Sequence, residues 1–142
     1  MQVLHQVAER LRDLHAAGWV HRDVKPGNVM FLHHKRQWTL IDFGCAGKSG
    51  TTARNMFTVM YAAPEVLQAS CRGEQRIRVT EAMDAWSLGV MALEMFAGNR
   101  PFGGWGSKAK VPPSAACPVL PQFCLQHQRA VDICPLNVEL IM

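Results

Sequence analysis

The stretch that most constrains the fold spans residues 21 to 28 and reads HRDVKPGN. Its adjacent proline and glycine require a turn rather than a continuous helix. The Asp23 carboxylate can accept a proton from an attacking hydroxyl. Lys25, two residues on and on the same side of an extended chain, can neutralise a phosphate oxygen. Asn28 adds an amide oxygen suited to a hard cation such as Mg²⁺. The spacing favours phosphate chemistry, with a merely hydrated polar loop as the alternative.

Length and composition allow one ordinary folded domain. The chain has 142 residues, of which 49% are hydrophobic, and this content excludes disorder throughout. The net charge of +4 is spread along the chain. The densest basic cluster, Arg72, Arg76 and Arg78, has no interleaved aromatic residues, so it is interpreted as a solvated face and no nucleic-acid partner is expected.

The cysteines and the apolar runs bear on location. Five cysteines make an odd count without a Cys-x-x-Cys pair, which indicates reduced thiols in an intracellular protein. We expect a cytoplasmic location, with the nucleus left open, and no secretory leader. The longest apolar stretch, residues 86 to 98, is interrupted by Glu94 and is too short to span a bilayer, so no membrane partner is expected.

The residues around this loop predict a helix before it and a hairpin after it. Apolar residues at three- and four-residue intervals predict an amphipathic helix over residues 2 to 16. His5 and His15 are interpreted as surface or helix-end histidines. Two short β-forming runs, residues 29–32 and 38–41, predict a hairpin with a five-residue connection.

The hairpin leads directly to Asp42-Phe43-Gly44. A carboxylate at a strand end, followed by glycine, can hold a metal ion against a phosphate chain. A competing motif overlaps, because residues 44 to 49 read GCAGKS, like the end of a phosphate-binding P-loop. That motif needs glycine at position 42 and a helix after it. The chain has Asp42 and then loop-forming residues, so a P-loop is rejected.

Four motifs in order resemble the eukaryotic-type protein kinase family. They are the loop at residues 21–28, Asp42-Phe43-Gly44, Ala63-Pro64-Glu65, and the run from Asp84 to Gly89 that reads DAWSLG. Lys25-Pro26 is similar to the serine/threonine branch. The resemblance implies a mainly α fold with a small β-hairpin, a kinase C-terminal lobe without the N-terminal lobe. It covers residues 1–102 as a partial kinase domain that includes a central buried helix from Asp84. Residues 103–142, past the resemblance, are predicted to be a tail rich in proline and cysteine, with a short helix around residues 124 to 133.

The resemblance also implies ATP and Mg²⁺ as cofactors and a set of residue roles. Asp23 orients or deprotonates the acceptor hydroxyl, and Lys25 steadies the transferring phosphate. Asn28 and Asp42 hold Mg²⁺. It implies structural or regulatory roles for six further residues. His21 and Phe43 pack together, Gly44 follows Phe43, Thr58 contacts Asp23, and Asp84 holds the catalytic-loop backbone. Glu65 pairs with an arginine, for which Arg129 is a candidate.

Residues 42 to 65 resemble the kinase activation segment. Ser49, Thr51 and Thr52 are its candidate sites for phosphorylation by an upstream kinase, and Arg22 is the expected partner of the added phosphate. The segment departs from the family at one position. It has Phe57 where the family usually has glycine before Thr58.

The predicted function is phosphoryl transfer from ATP to serine or threonine hydroxyls of protein substrates. The glycine-rich lid, strand lysine and helix glutamate of a kinase do not occur in the sequence before the loop, so the isolated chain is expected to have little or no activity. Three readings stay open: an active kinase, a non-catalytic kinase-like interaction module, and a fragment of a longer kinase. We favour the fragment.

Overall fold

The structure is a computed structural model that describes residues 2–98. Its helices are α1 (Gln2–Ala16), α2 (Pro64–Cys71) and α3 (Ala82–Ala97), and its strands are β1 (Trp19–Val20), β2 (Val29–Leu32), β3 (Gln37–Leu40), β4 (Gly47–Lys48), β5 (Thr52–Arg54) and β6 (Arg76–Arg78). The predictions made for residues 103 to 142, including the helix at 124 to 133 and the arginine candidate Arg129, lie outside the described residues.

Helix α1 confirms the prediction made from its apolar periodicity. Val7 and Leu11 on one face are buried, and they pack with Val24 of the following loop, Leu40 of β3 and Met91 of α3. This cluster joins the helix, the loop, the hairpin and the last helix in one core. The loop at residues 21–28 is therefore fixed from beneath by apolar burial as well as by polar contacts.

The strands form three separate antiparallel pairs within the described residues: β1 with β4, β2 with β3, and β5 with β6. The predicted hairpin is β2–β3, but its connection has four residues rather than five, because Gln37 pairs with Leu32. Gly47 and Lys48 form a strand against β1 and do not open a helix. This local structure agrees with the rejection of a P-loop.

One strand pair was not predicted. The basic cluster at residues 72 to 78 was interpreted only as a solvated face, yet Arg76–Arg78 pair with Thr52–Arg54. The pairing buries Ile77 opposite Ala53 on the inner face. No local pattern indicates it, because the two strands lie more than 20 residues apart in sequence and the burial depends on a surface that forms only on folding.

Helix α3 is buried along one face and not on most sides. The buried positions are Met83, Asp84, Ser87, Val90 and Met91, whereas Phe96 is 62% exposed and Met95 is 46% exposed. The sequence suggested burial all round because nearly every residue is apolar. Glu81 occupies the N-terminal cap position of α3 and makes no side-chain cap bond.

A second core cluster lies under the end of the activation segment and helix α2. It includes Ala62, Ala63, Val66 and Leu67, which pack with Ile77 and Met83. Of the helices in the described range, none has the length and apolar character that a membrane span requires. Three helices and three small antiparallel pairs in residues 2–98 are consistent with part of a kinase fold.

Candidate active site

The buried carboxylate of Asp84 holds the start of the catalytic loop. Its oxygens accept hydrogen bonds from the backbone N–H groups of His21 and Arg22, each at 2.7 Å. Asp84 is 0% exposed, so water is not its partner. A buried carboxylate needs such donors, and two converging amides meet that need. This is the contact that the kinase resemblance implies for Asp84.

A third group reaches the same carboxylate, and sequence reasoning missed it. Nε2 of His15 lies 2.8 Å from Oδ2 of Asp84. His15 was interpreted as a surface or helix-end histidine without a carboxylate partner. It does lie at the end of α1, but its side chain is only 18% exposed. Its partner is 69 residues away in the chain, so no spacing rule could have found the pair.

Arg22 has a strained backbone and a buried side chain. Its φ of 68° lies in the left-handed region, which a non-glycine residue adopts at a cost. Its guanidinium donates to the backbone carbonyls of Cys45 (3.0 Å) and Arg54. Arg22 is 8% exposed, and this burial lowers its pKa. In the unmodified chain these two donors of Arg22 bind carbonyl oxygens, and the pairing of Arg22 with an added phosphate stays a prediction.

Three side chains converge on Asp23. Lys25 Nζ donates to Oδ2 at 2.6 Å, and Thr58 Oγ1 donates to Oδ1 at 2.7 Å. Asn28 Nδ2 donates to Oδ2 at 2.9 Å and to the Asp23 backbone carbonyl at 2.8 Å. Lys25 also reaches Thr58 Oγ1 at 2.9 Å. A carboxylate, an ammonium, a hydroxyl and an amide therefore share one small volume, in the arrangement that phosphate chemistry requires.

The residue before Asp42, Ile41, is hydrogen-bonded to the same loop. The N–H of Ile41 donates to the Asn28 carbonyl at 2.9 Å, and the Ile41 carbonyl lies 3.1 Å from His21 Nε2. Asp42 itself has a φ of 60°. This turned backbone is stabilised because the Asp42 carboxylate accepts from the N–H of Gly44 at 3.2 Å. Two non-glycine residues with strained backbones, Arg22 and Asp42, thus flank the site.

Phe43 and Gly44 each have a structural reason to stand where they do. The rings of Phe43 and His21 lie 5.0 Å apart between centroids, the contact implied by the resemblance. Phe43 nevertheless remains 52% exposed. A Cβ at Gly44 would approach Oδ1 of Asp42 to 3.1 Å. A larger residue there would displace the carboxylate that the motif presents.

The two acidic residues of the site, Asp23 and Asp42, both affect the pKa of one thiol, that of Cys45. Burial raises the pKa of the Cys45 thiol, and the charge of Asp23 and, more weakly, that of Asp42 raise it further, while Arg22 and Lys25 oppose the shift. Both carboxylates therefore lie within electrostatic range of the same sulphur atom.

The oxygen atoms of Asn28 and Asp42 fit a magnesium ion. Because Asn28 Nδ2 donates to Asp23, its carbonyl oxygen Oδ1 is the atom suited to a cation. Asp42 adds an exposed carboxylate at a strand end. Within residues 2–98 there is no cluster of three or more histidine, cysteine or acidic residues that could hold a metal alone. Mg²⁺ typically uses one or two protein oxygens together with substrate phosphates, so this sparse set suits it.

The loop that carries Thr58 is anchored on α3 and on the second core cluster. Phe57, which replaces the usual glycine, packs against that cluster and leaves Thr58 in contact with Asp23. Ser87 Oγ of α3 donates to the Tyr61 carbonyl at 2.7 Å, and Tyr61 Oη donates to Glu94. Glu65 lies exposed in the first turn of α2.

Comparison with known proteins shows the family to which the chain belongs. A family model, the protein kinase domain, matches residues 1–122, and the chain belongs to the eukaryotic-type serine/threonine protein kinase family, of which it carries part of the domain. The chain is 38% identical to serine/threonine-protein kinase Kist of Homo sapiens and Mus musculus over 99 residues, which are 66% of this chain and 24% of that protein.

Two further relatives come from distant organisms. Putative ribosomal protein S6 kinase alpha-2 of Caenorhabditis elegans is 36% identical over 115 residues, 70% of this chain and 14% of that protein. Serine/threonine-protein kinases drp72 of Corynebacterium efficiens is 38% identical over 109 residues, 73% of this chain and 19% of that protein. The chain spans a quarter or less of the length of these relatives.

Proposed function

We propose that this chain forms the phosphoryl-transfer half of a serine/threonine protein kinase, corresponding to the C-terminal lobe. The reaction moves the γ-phosphoryl group of ATP to a serine or threonine hydroxyl of a protein. The observation that carries the proposal is the convergence of Lys25, Asn28 and Thr58 on the Asp23 carboxylate, at 2.6 to 2.9 Å. Such a cluster positions reacting groups and neutralises charge, which are the main sources of catalysis in phosphoryl transfer.

Each residue has a distinct part in this proposal. Asp23 orients the acceptor hydroxyl and accepts its proton. Lys25 steadies the transferring phosphoryl group. Thr58 fixes Oδ1 of Asp23 and so sets the direction of the carboxylate. Asn28 and Asp42 hold Mg²⁺, which when bound neutralises the phosphate oxygens of ATP.

The proposal predicts low activity for the isolated chain. Residues 2–98 supply groups for the reacting phosphate, but this part of the chain contains no glycine-rich loop and strand lysine to grip the rest of the nucleotide. Incubating the purified chain with Mg²⁺-ATP and a generic protein substrate should give little or no transfer. Strong phosphorylation that disappears in Asp23→Asn would contradict this low-activity prediction while supporting the roles assigned to the site.

The decisive test of the proposed function uses the longest natural form of the protein. Asp23→Asn should lower kcat by at least about a hundredfold, because general base catalysis alone contributes about 10² to 10⁴. The matched control is Asp13→Asn, which changes an exposed carboxylate on α1. Full activity in Asp23→Asn would remove the role assigned to Asp23, and no activity in the unaltered protein would contradict the enzymatic assignment. A non-catalytic interaction module would be favoured if Mg²⁺-ATP also failed to shift the melting temperature.

We propose in addition that an upstream kinase modifies the activation segment at Ser49, Thr51 or Thr52. Thr51 and Thr52 are exposed. The Ser49 hydroxyl faces the Glu81 carboxylate at 3.4 Å, which disfavours a phosphate there. Replacing all three with alanine in the longest natural form should lower activity. Unchanged activity would show that the segment works without modification.

A further inference from the structure

The outer face of the β5–β6 pair carries three arginines, here called the arginine face: Arg54, Arg76 and Arg78. The side chains of the pair alternate, so Ala53 and Ile77 point inward while these arginines are exposed. Arg54 lies directly opposite Arg76 in the pairing register, and Arg78 lies opposite Thr52. Opposed like charges on one strand pair weaken the pairing, so this arrangement costs stability.

The charge of the arginine face is not neutralised by the part of the chain that the structure describes. Arg54 and Arg78 make no side-chain hydrogen bond or ion pair with residues 2–98, and Arg76 donates only to the Thr52 backbone carbonyl at 2.7 Å. Glu74, the neighbouring acidic residue in sequence, pairs with Arg72 at 2.6 Å. Three guanidinium groups therefore share one exposed surface without a carboxylate partner.

The arginine face lies close to the candidate active site. The Arg54 carbonyl accepts a hydrogen bond from Arg22, the residue next to Asp23. Arg54 is four positions before Thr58, which itself contacts Asp23. Four residues of extended chain span at most about 14 Å. An extended peptide that has its hydroxyl at Asp23 and runs towards the arginine face would reach it within about five residues of that hydroxyl, since a strand rises about 3.3 Å per residue.

We propose that the arginine face binds a phosphorylated or strongly acidic side chain of the protein substrate, within about five residues of the acceptor hydroxyl. A phosphate offers three acceptor oxygens, and guanidinium groups match it by bidentate hydrogen bonds. The binding compensates the repulsion between Arg54 and Arg76. The inference rests on the proposed function for the identity of the partner, because it names the substrate class of that same site.

The test compares two fluorescein-labelled peptides that differ in one group. Both contain a central acceptor serine, and one carries a phosphoserine four residues away where the other carries serine. Their binding to the purified chain is followed by fluorescence anisotropy without nucleotide at low ionic strength. The phosphopeptide should bind about tenfold more tightly, as one or two charge-assisted hydrogen bonds provide. The preference should decrease as salt is added.

Variants locate the preference on the arginine face. Arg54→Glu with Arg78→Glu should reduce the ratio of the two affinities to about one, because the cations are replaced by anions. The matched control is Arg10→Glu with Arg12→Glu, an equal change in charge on exposed arginines of α1. Thr52→Glu places a carboxylate opposite Arg78 and should reduce the preference about threefold, whereas Thr51→Glu should not.

The outcomes separate this inference from the proposed function. Equal affinities of the two peptides for the unaltered chain, or equal loss in the α1 control, would overturn the arginine face as a substrate site. Because no nucleotide is present, a catalytically inactive chain that still prefers the phosphopeptide leaves the inference standing. In an active longer form, the phosphopeptide should have the lower KM at unchanged kcat, and a change in kcat alone would contradict a docking role.

Discussion

The catalytic loop (residues 21–28) and the activation-segment strand region (residues 47–55) are neighbours, but different kinds of hydrogen bond hold each in place. The loop is fixed by side chains, since the Asp84 carboxylate binds its amides and Asn28 binds back to Asp23. The segment is fixed by its backbone. Gly50 donates to the Val79 carbonyl, and the N–H of Val79 donates to the Thr51 carbonyl.

The difference determines what each region can change. Side-chain anchoring requires particular residues, so the loop tolerates few substitutions. Backbone pairing leaves the outward side chains free, so the strand region can display hydroxyls and arginines to a partner. Arg22 joins the two, because its backbone belongs to the loop and its guanidinium binds carbonyls of the segment.

The largest expected effect comes from breaking the anchor of the loop. Asp84→Ala leaves the buried amides of His21 and Arg22 without an acceptor and should cost about 4 kcal/mol of unfolding free energy. Urea denaturation followed by circular dichroism measures it. Asp13→Ala, at an exposed carboxylate, should change stability by less than about 0.5 kcal/mol. Similar losses in both would show that Asp84 is not an anchor.

Arg22→Ala tests the hydrogen bonds by which Arg22 connects the two regions. It removes two hydrogen bonds from a charged donor to carbonyl oxygens and should cost about 3 kcal/mol. Amide hydrogen exchange should accelerate at Gly50 and at residues 52–55, since the segment loses its tie to the loop. Thr51→Ala and Thr52→Ala serve as controls, because their contacts to the rest of the chain are mainly through the backbone. Unchanged exchange rates in Arg22→Ala would contradict the claim that Arg22 connects the two regions.

Phe57→Gly restores the residue that the family usually has, and a smaller loss is expected. The partly buried ring packs against the second core cluster. Losing it and adding a flexible glycine should cost about 2 kcal/mol together. Thermal unfolding measures the loss. Phe57→Leu should recover most of the stability, and a stabilised Phe57→Gly would show that the ring is strained in its place.

The smallest effect concerns the thiol beside the site. Burial raises the pKa of Cys45 in the folded chain, so less thiolate is present at a given pH. Iodoacetamide should therefore label Cys45 several-fold more slowly in the folded chain than in urea. The raised folded pKa stabilises the chain below the unfolded pKa, and this contribution is lost as pH rises through the folded pKa. Mass spectrometry of the Cys45 peptide at increasing pH follows the difference, and equal labelling rates would contradict the shift.

The local motifs predicted much of the structure because their physics is local. The period of α1 fixed its bounds at residues 2 and 16, and the β-forming runs gave the hairpin. The spacing within the loop indicated that Asp23, Lys25 and Asn28 belong to one site. Residues close in sequence explore few arrangements, so spacing and turn chemistry suffice for them.

The tertiary structure decided the distant contacts that no motif implied. Three such contacts join positions 20 to 70 residues apart. They are the hydrogen bond between His15 and Asp84, the hydrogen bonds from Arg22 to two carbonyls, and the β5–β6 pair with its arginine face. No local pattern carries such information, because the free energy of these contacts arises only when separate elements bury surface together. The sequence by itself determined the chemistry of the chain, and the fold decided which groups were committed to structure and which remained exposed to a partner.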